Sequence, residues 1–338
     1  MERVSSPGSI NAPVTADTPI RIGVSSCLLG ERVRYDGGHK RDPFLTGVMG
    51  PHVEWVAVCP EFEMGLGAPR EPLQLERKNG KIHLVSIETG VDHTKTMERW
   101  AKRRLGELDG ENLSGYILKS RSPSCGMERV QTREDSGARA GRERGLYAKA
   151  LIGRFENLPI EEERRLANPN SRENFIECVF AYRRLRQLFG KRWRNRDVVE
   201  FQARHKLLLM AHSPRLYRET GRLVAEMADM AERSRQEFRA QYESLFMQAM
   251  KARTTRGRHA KVLQHMAGCL TECAGFARRE ELSRLIEDYS RGLAPLSTPL
   301  AVIRRLVRRF GVDYLDNQFY LNPHPKEIVL RDSATFLS

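Results

Sequence analysis

Residues 20–25, IRIGVS, run straight into Ser26-Cys27-Leu28-Leu29-Gly30, and the reading of this stretch decides the fold. A short β-branched run reads as a strand, and Cys27 then falls in the tight turn that follows it. The same grammar recurs downstream in residues 53–58 (VEWVAV), 83–87 (HLVSI) and 115–119 (GYILK). Helical stretches lie between these runs. In residues 94–108, Met97, Trp100, Ala101, Leu105 and Leu108 fall at helical spacing, with Thr94 as the expected N-cap. Residues 145–156 and 171–189 read as further helices. Strands alternating with helices predict an α/β domain with a mainly parallel, Rossmann-like sheet covered on both faces.

Beyond Val198 the strand signals fade, and an all-α C-terminal domain is expected. Residues 299–312 place Val302, Leu306 and Phe310 on one face and Arg304, Arg305, Arg308 and Arg309 on the other, which reads as a solvated face. The expected division is a disordered leader (1–18), the α/β domain (19–165), a linking helix (166–197) and the helical domain (198–338), whose Pro-interrupted end wraps the surface.

Cys27, Cys59 and Cys125 share one context: each closely follows a predicted strand and sits in a tight turn, in VSSCLLG, VAVCPE and SRSPSCG. In a parallel sheet the carboxyl ends of the strands open on a common edge, so thiols far apart in sequence converge there. Their separations of 32 and 66 residues match no CxxC zinc ribbon. Thiolates select zinc or iron–sulfur clusters, and these residues alone leave both open. Other tempting residues read as structural. His265, Cys269 and Cys273 form one helical stripe of poor ligand geometry; Cys178 reads as core, and His205 and His212 as satisfied interfacial histidines.

The chain has 338 residues, 40% hydrophobic and 30% charged, and no apolar run long enough to span a membrane. It shows no export signal, so a cytoplasmic location is expected, and its six cysteines argue for metal, catalysis or burial over disulfides. The 57 basic and 43 acidic residues leave a formal charge of +14, which favours anionic partners such as RNA, DNA or a nucleotide-like substrate.

The strings SSCLLG, VRYDGGHKR, VCPEFEMGLGAPREP, GVDHT and LKSRSPSCG, in that order, resemble the thiouracil desulfidase family over residues 19–155. HKLLLMAHSP and YLDNQFYLNPHPKE resemble the YbgA-like helical domain. The first resemblance implies a [4Fe-4S] cluster on Cys27, Cys59 and Cys125, with one iron open to substrate. It also implies removal of sulfur, as sulfide, from a thiolated nucleobase or nucleoside of the 2- or 4-thiouracil type. His93 departs from the pattern, standing where a small apolar residue is expected, which leaves the role of Asp92 open. Such non-redox C–S cleavage, of hydrolase or lyase type, needs proton transfer. Glu61 is the expected general base and Ser122 a hydrogen-bonding partner of the base or its sulfur. Asp36 and Arg70 are expected to contact the pyrimidine edge. The competing readings are a tRNA-binding protein with a structural metal and a zinc hydrolase with three cysteine ligands. A thiolated base still within tRNA would merge the first of these with desulfuration.

Overall fold

A computed structural model describes residues 19–134, 139–229, 234–271 and 276–324. The expected leader and Cys273 lie outside the described residues. The strands are β1 (Ile20–Ser25), β2 (Val53–Val58), β3 (Leu73–Lys78), β4 (Lys81–Ser86), β5 (Gly115–Leu118), β6 (Val130–Glu134), β7 (Arg139–Glu143) and β8 (Ile160–Glu162). One sheet has the order β2-β1-β5-β8 with every pairing parallel. Position explains composition here. All four residues of central β5 are buried, whereas edge strand β2 buries Val56 and Val58 but exposes Glu54. Within β1, a Cβ on Gly23 would lie 2.1 Å from the Tyr116 ring, so only glycine lets this aromatic of β5 lie against the strand.

Residues 83–87, expected as a strand of the parallel sheet, belong elsewhere. They fall largely in β4, which pairs antiparallel with β3 in a second sheet of order β4-β3-β6-β7. The hairpin turn is Asn79-Gly80, both at positive φ (50° and 74°), the backbone that an Asn-Gly turn favours. Pairing of β3 with β6 is parallel and joins residues more than fifty positions apart, which local pattern does not reveal.

Helices α1 (Thr94–Asp109) and α2 (Leu146–Arg154) cover one face of the parallel sheet. There Met97, Trp100, Leu105, Tyr147 and Leu151 form a core with Val58, Tyr116 and the second sheet's Leu75 and Leu84. Thr94 is the first residue of α1 rather than its cap. Asp92 Oδ1 accepts the Thr94 amide at 2.8 Å, while the Thr94 hydroxyl accepts the Leu84 amide at 2.9 Å. Asp92 also meets His83 Nδ1 at 2.7 Å, so it joins a helix start to a strand.

After the short α3 (Glu163–Leu166), the long α4 (Pro169–Phe189) covers the other face of the sheet. Phe175, Ile176, Val179 and Phe180 pack with Ile22, Val24 and Ile117. Its Cys178, Ala181, Leu185 and Phe189 face a second core. That core is built from α5 (Asn195–His212), α6 (Pro214–Ala225), α7 (Arg235–Lys251), α8 (Arg256–Cys269), α9 (Phe276–Arg291), α10 (Ser297–Phe310) and the short α11 (Asp313–Asp316). From residue 195 onward the described residues contain no strand. Part of the stretch expected to wrap the surface is inserted instead: Leu315, Gln318, Tyr320 and Leu321 are buried, and the Phe319 amide donates to the Arg204 carbonyl. No helix among the described residues is long and apolar enough to cross a membrane.

Candidate metal centre

Three turns leave the same edge of three adjacent strands. The register pairs Ser25 with Val58 and Val24 with Ile117, so β1, β2 and β5 end side by side. Cys27 lies in a short helical turn, Ser26–Leu29, directly after β1, and Lys40 donates its amide to the Cys27 carbonyl at 2.9 Å. Cys59 follows β2 immediately. Cys125 sits in the turn after β5, which the first turn of α2 holds from outside. The Gly145, Leu146 and Ala148 amides donate to the carbonyls of Gly126, Pro123 and Ser124. A Cβ on Gly145 would lie 2.5 Å from the Ser124 carbonyl carbon, so glycine permits this close approach.

All three cysteines are free thiols; Cys27 and Cys125 are buried and Cys59 half-buried. Burial, then the neighbouring Cys59, pushes Cys27 up to about 11, against the opposing pull of Lys119 and Arg34. Burial and then Cys59 and Glu61 raise Cys125 well above its ordinary value, and burial raises Cys59. Such thiols stay protonated unless a cation compensates their charge, which a soft metal does. Among the described residues no three His, Cys, Asp or Glu side chains are grouped to hold a single metal ion. In a [4Fe-4S] cube each thiolate takes its own iron and the three need not meet at one point, so the donor set fits that group.

Beside Cys59 and Cys125 lies a tight polar cluster. Arg70 donates from Nε and Nη2 to Glu61 Oε2 at 3.1 and 2.6 Å, and from Nη1 to the carbonyls of Val33 and Gly67 at 2.8 and 2.6 Å. Glu61 Oε1 accepts the Ser124 hydroxyl at 2.8 Å and the Ser122 hydroxyl at 3.4 Å. Ser122 Oγ in turn accepts the amides of Ser124 and Cys125 at 3.2 and 3.1 Å. Folding therefore gathers Glu61, Arg70 and Ser122 at the cysteines, but Arg70 commits its fork to Glu61 and two carbonyls. Asp36 sits on an exposed turn, where its carboxylate grips Arg34 at 3.2 and 3.1 Å.

Two further groups escaped the sequence reading. Glu63 Oε1 accepts the Cys59 amide at 2.9 Å, and its other oxygen pairs with Arg104 at 3.3 Å. Burial raises the Glu63 carboxyl above the ordinary range, outweighing the Cys59 amide and Arg104. Its position four residues after Cys59, one helical turn on, was the available signal. Lys119, whose charge acts on Cys27, pairs with Glu163 and donates to the Ser120 carbonyl at 3.0 Å. Only the fold brings Glu163 there.

His205, His212 and Cys178 are engaged in buried structural contacts. His205 Nδ1 donates to the Phe201 carbonyl at 2.8 Å while Nε2 accepts from Arg184 at 3.1 Å. His212, fully buried, meets the Ala252 carbonyl at 2.8 Å and Glu177 at 3.1 Å. Cys178 is buried against the Met250 carbonyl. Arg304 donates to the Leu321 carbonyl at 2.8 Å rather than standing in solvent.

Comparison with known proteins places these observations. The family model described as 2-thiouracil desulfurase matches residues 22–163, and that of a protein of unknown function, DUF1722, matches residues 206–325. The uncharacterized protein YbbK of Bacillus subtilis (strain 168) is 34% identical over 109 residues, covering 30% of this chain and 71% of its own length. The uncharacterized protein YbgA of Escherichia coli (strain K12) is 27% identical over 156 residues, covering 46% of this chain and 91% of its own. A solved structure, the [4Fe-4S]-dependent thiouracil desulfidase TudS, is 33% identical over 44% of this chain and 93% of its own, with a TM-score of 0.37. The chain thus belongs to the 2-thiouracil desulfurase family through residues 22–163 and carries a DUF1722 region at residues 206–325.

Proposed function

We propose that this protein removes sulfur from thiolated pyrimidine bases, with Cys27, Cys59 and Cys125 holding a [4Fe-4S] cluster. When bound, a cube with three protein thiolates supplies an iron open to soft sulfur, a Lewis acid for the thiocarbonyl and an acceptor for sulfide. The balance needs only water: the thiocarbonyl and water become a carbonyl and hydrogen sulfide, with no net oxidation. The observation that carries this reading is the placement of three free thiols on three adjacent strand ends, with Glu61, Ser122 and Ser124 against two of them.

Proton handling divides between two carboxylates. Glu61, expected as the general base, is bound to Arg70 through two hydrogen bonds and is better suited to fixing the Ser122–Cys125 turn through its serine contacts. Glu63, whose side chain is 31% exposed and meets Arg104 only at 3.3 Å, is the better carrier of the proton that passes between water and the base. Ser122 orients its hydroxyl beside the Cys125 amide and serves the bound base as a hydrogen-bond partner.

Purification without oxygen, with assays of iron, acid-labile sulfide and sulfide release from 2-thiouracil, tests this reading. Brown wild-type protein that releases sulfide, and a Cys125→Ala variant that loses both iron and activity, are expected. Colourless protein with stoichiometric zinc would favour the zinc hydrolase and end the cluster assignment.

A second reading, that the base is presented within tRNA, is favoured by one surface. Lys191, Arg192, Arg194, Arg235 and Arg239 line an open groove of about 770 Å³ with Phe189 and Trp193, and the Arg235 guanidinium lies 3.7 Å from the Trp193 ring centre. Cations interleaved with aromatic faces suit a nucleic-acid backbone and its bases. The groove lies beyond the carboxyl end of α4, a helix about 30 Å long.

A further inference from the structure

The loop between β1 and β2 holds an aromatic side chain that the proposed chemistry leaves unused. Tyr35 is 44% exposed although its backbone is pinned to the metal centre. Its carbonyl accepts the Arg70 amide at 2.9 Å, and two residues earlier the Val33 carbonyl accepts Arg70 Nη1 at 2.8 Å and the Cys59 thiol at 3.7 Å. Isolated exposed aromatics are common and need no explanation. This one is backed by a built support. The Arg34 guanidinium lies over the ring, 5.2 Å from its centre, and both Asp36 oxygens hold that guanidinium. Asp36 Oδ1 also accepts the Gly38 amide at 3.0 Å, in a turn where Gly37 takes φ 68°.

We infer that Tyr35 is the stacking platform for the pyrimidine ring of the substrate, with Arg34 as its buttress and Asp36 as the positioning residue. A planar heterocycle presenting its sulfur to the cysteines exposes a π-face that has to be covered, and an aromatic ring fixed from behind covers it at little entropic cost. Asp36 then acts through Arg34 and not on the pyrimidine edge. Phe62, 45% exposed and three residues after Cys59, adds apolar surface to the next turn of the same sheet edge.

This inference rests on the desulfidation reading, and one set of measurements separates the two. The cluster-loaded, anaerobic enzyme is assayed for KM and kcat on 2-thiouracil and for competitive inhibition by uracil, which has the ring but no sulfur. Tyr35→Ala should raise both KM and the uracil inhibition constant about tenfold, the loss expected for one stacked base, with a smaller effect on kcat and unchanged iron content. Tyr35→Phe should restore most of the affinity, because stacking needs the ring and not the hydroxyl. Asp36→Ala should raise KM in the same direction, and it carries the test should Tyr35→Ala fail to load iron. An active wild type whose Tyr35→Ala and Asp36→Ala variants keep both constants overturns the stacking role alone. A brown wild type that releases no sulfide from any thiolated base overturns the desulfidation reading and the inference with it.

Discussion

Arg70 clamps Glu61 at the mouth of the cysteine site: Nη2 lies 2.6 Å from Oε2, and the two side chains are only 7% and 12% exposed. The pair links the Gly67–Arg70 turn to the Ser122–Cys125 turn, since the other Glu61 oxygen accepts the Ser124 hydroxyl. Removing one partner of a buried pair strands the other charge, so Arg70→Ala should lower unfolding free energy by about 3 kcal/mol. Lysine, a point charge without a fork, should recover only part of it. Denaturant unfolding of the two variants measures this, and equal stability of Arg70→Ala and wild type would show that the clamp contributes nothing.

The division of labour between the carboxylates predicts contrasting variants. Glu63→Gln should keep iron and lose about 100-fold or more in kcat, the range for removing a general acid–base group. Glu61→Gln should instead lower stability and iron retention, because it releases Arg70 and two serines. Iron content measured beside turnover distinguishes them; full turnover in Glu63→Gln would remove that residue from the chemistry.

Acid should weaken the helical half before it reaches the carboxylate range. Burial, only partly offset by Glu177, lowers His259 to about 4, and burial beside Arg184 lowers His205 well below its ordinary value. Between pH 6.5 and 4 the unfolded chain therefore binds more protons than the folded one. Stability is complete above pH 6.5 and falls as pH drops toward 4, by up to about 3 kcal/mol for His259 alone. Glu177, drawn below its usual range by His212 despite burial, adds a loss of the same sign at lower pH. Thermal unfolding from pH 7 to pH 4 reads the slope, and His259→Gln should flatten it.

The basic groove predicts a salt-dependent partner. Replacing Lys191 and Arg192 with glutamate should weaken binding of tRNA at low salt and reduce the salt slope by about two, one for each cation withdrawn from a phosphate. Filter binding across a salt series checks this. Sulfide release from free 2-thiouracil should remain at the wild-type rate, because the groove is lined by none of the residues gathered at the cysteines.

Much of the α/β half was legible in local pattern. β1 and β2 match the expected strands in residues and span, because their β-branched runs mark a strand without help from context. The second sheet was not legible, although Asn79-Gly80 marks its hairpin, because β3 carries Gln74, Glu76, Arg77 and Lys78 and hides its pairing with β6. Among the site residues, Glu61, Arg70 and Ser122 were legible as candidates from their nearness to cysteines. Their mutual bonding was not, and it is the ground for proposing Glu61 as a clamp instead of the proton carrier.

Sequence order alone was enough to place Cys27, Cys59 and Cys125 after strands, since a strand followed by a Gly or Pro turn is a local property of the chain. Whether those turns meet was decided by the pairing of β1 with both β2 and β5, which joins residues about thirty and ninety positions apart. The electrostatics of the site also came only with folding, because the burial that pushes the thiols and Glu63 upward depends on every layer packed around them. Residue types are written locally. Their charge states and partners belong to the packed molecule.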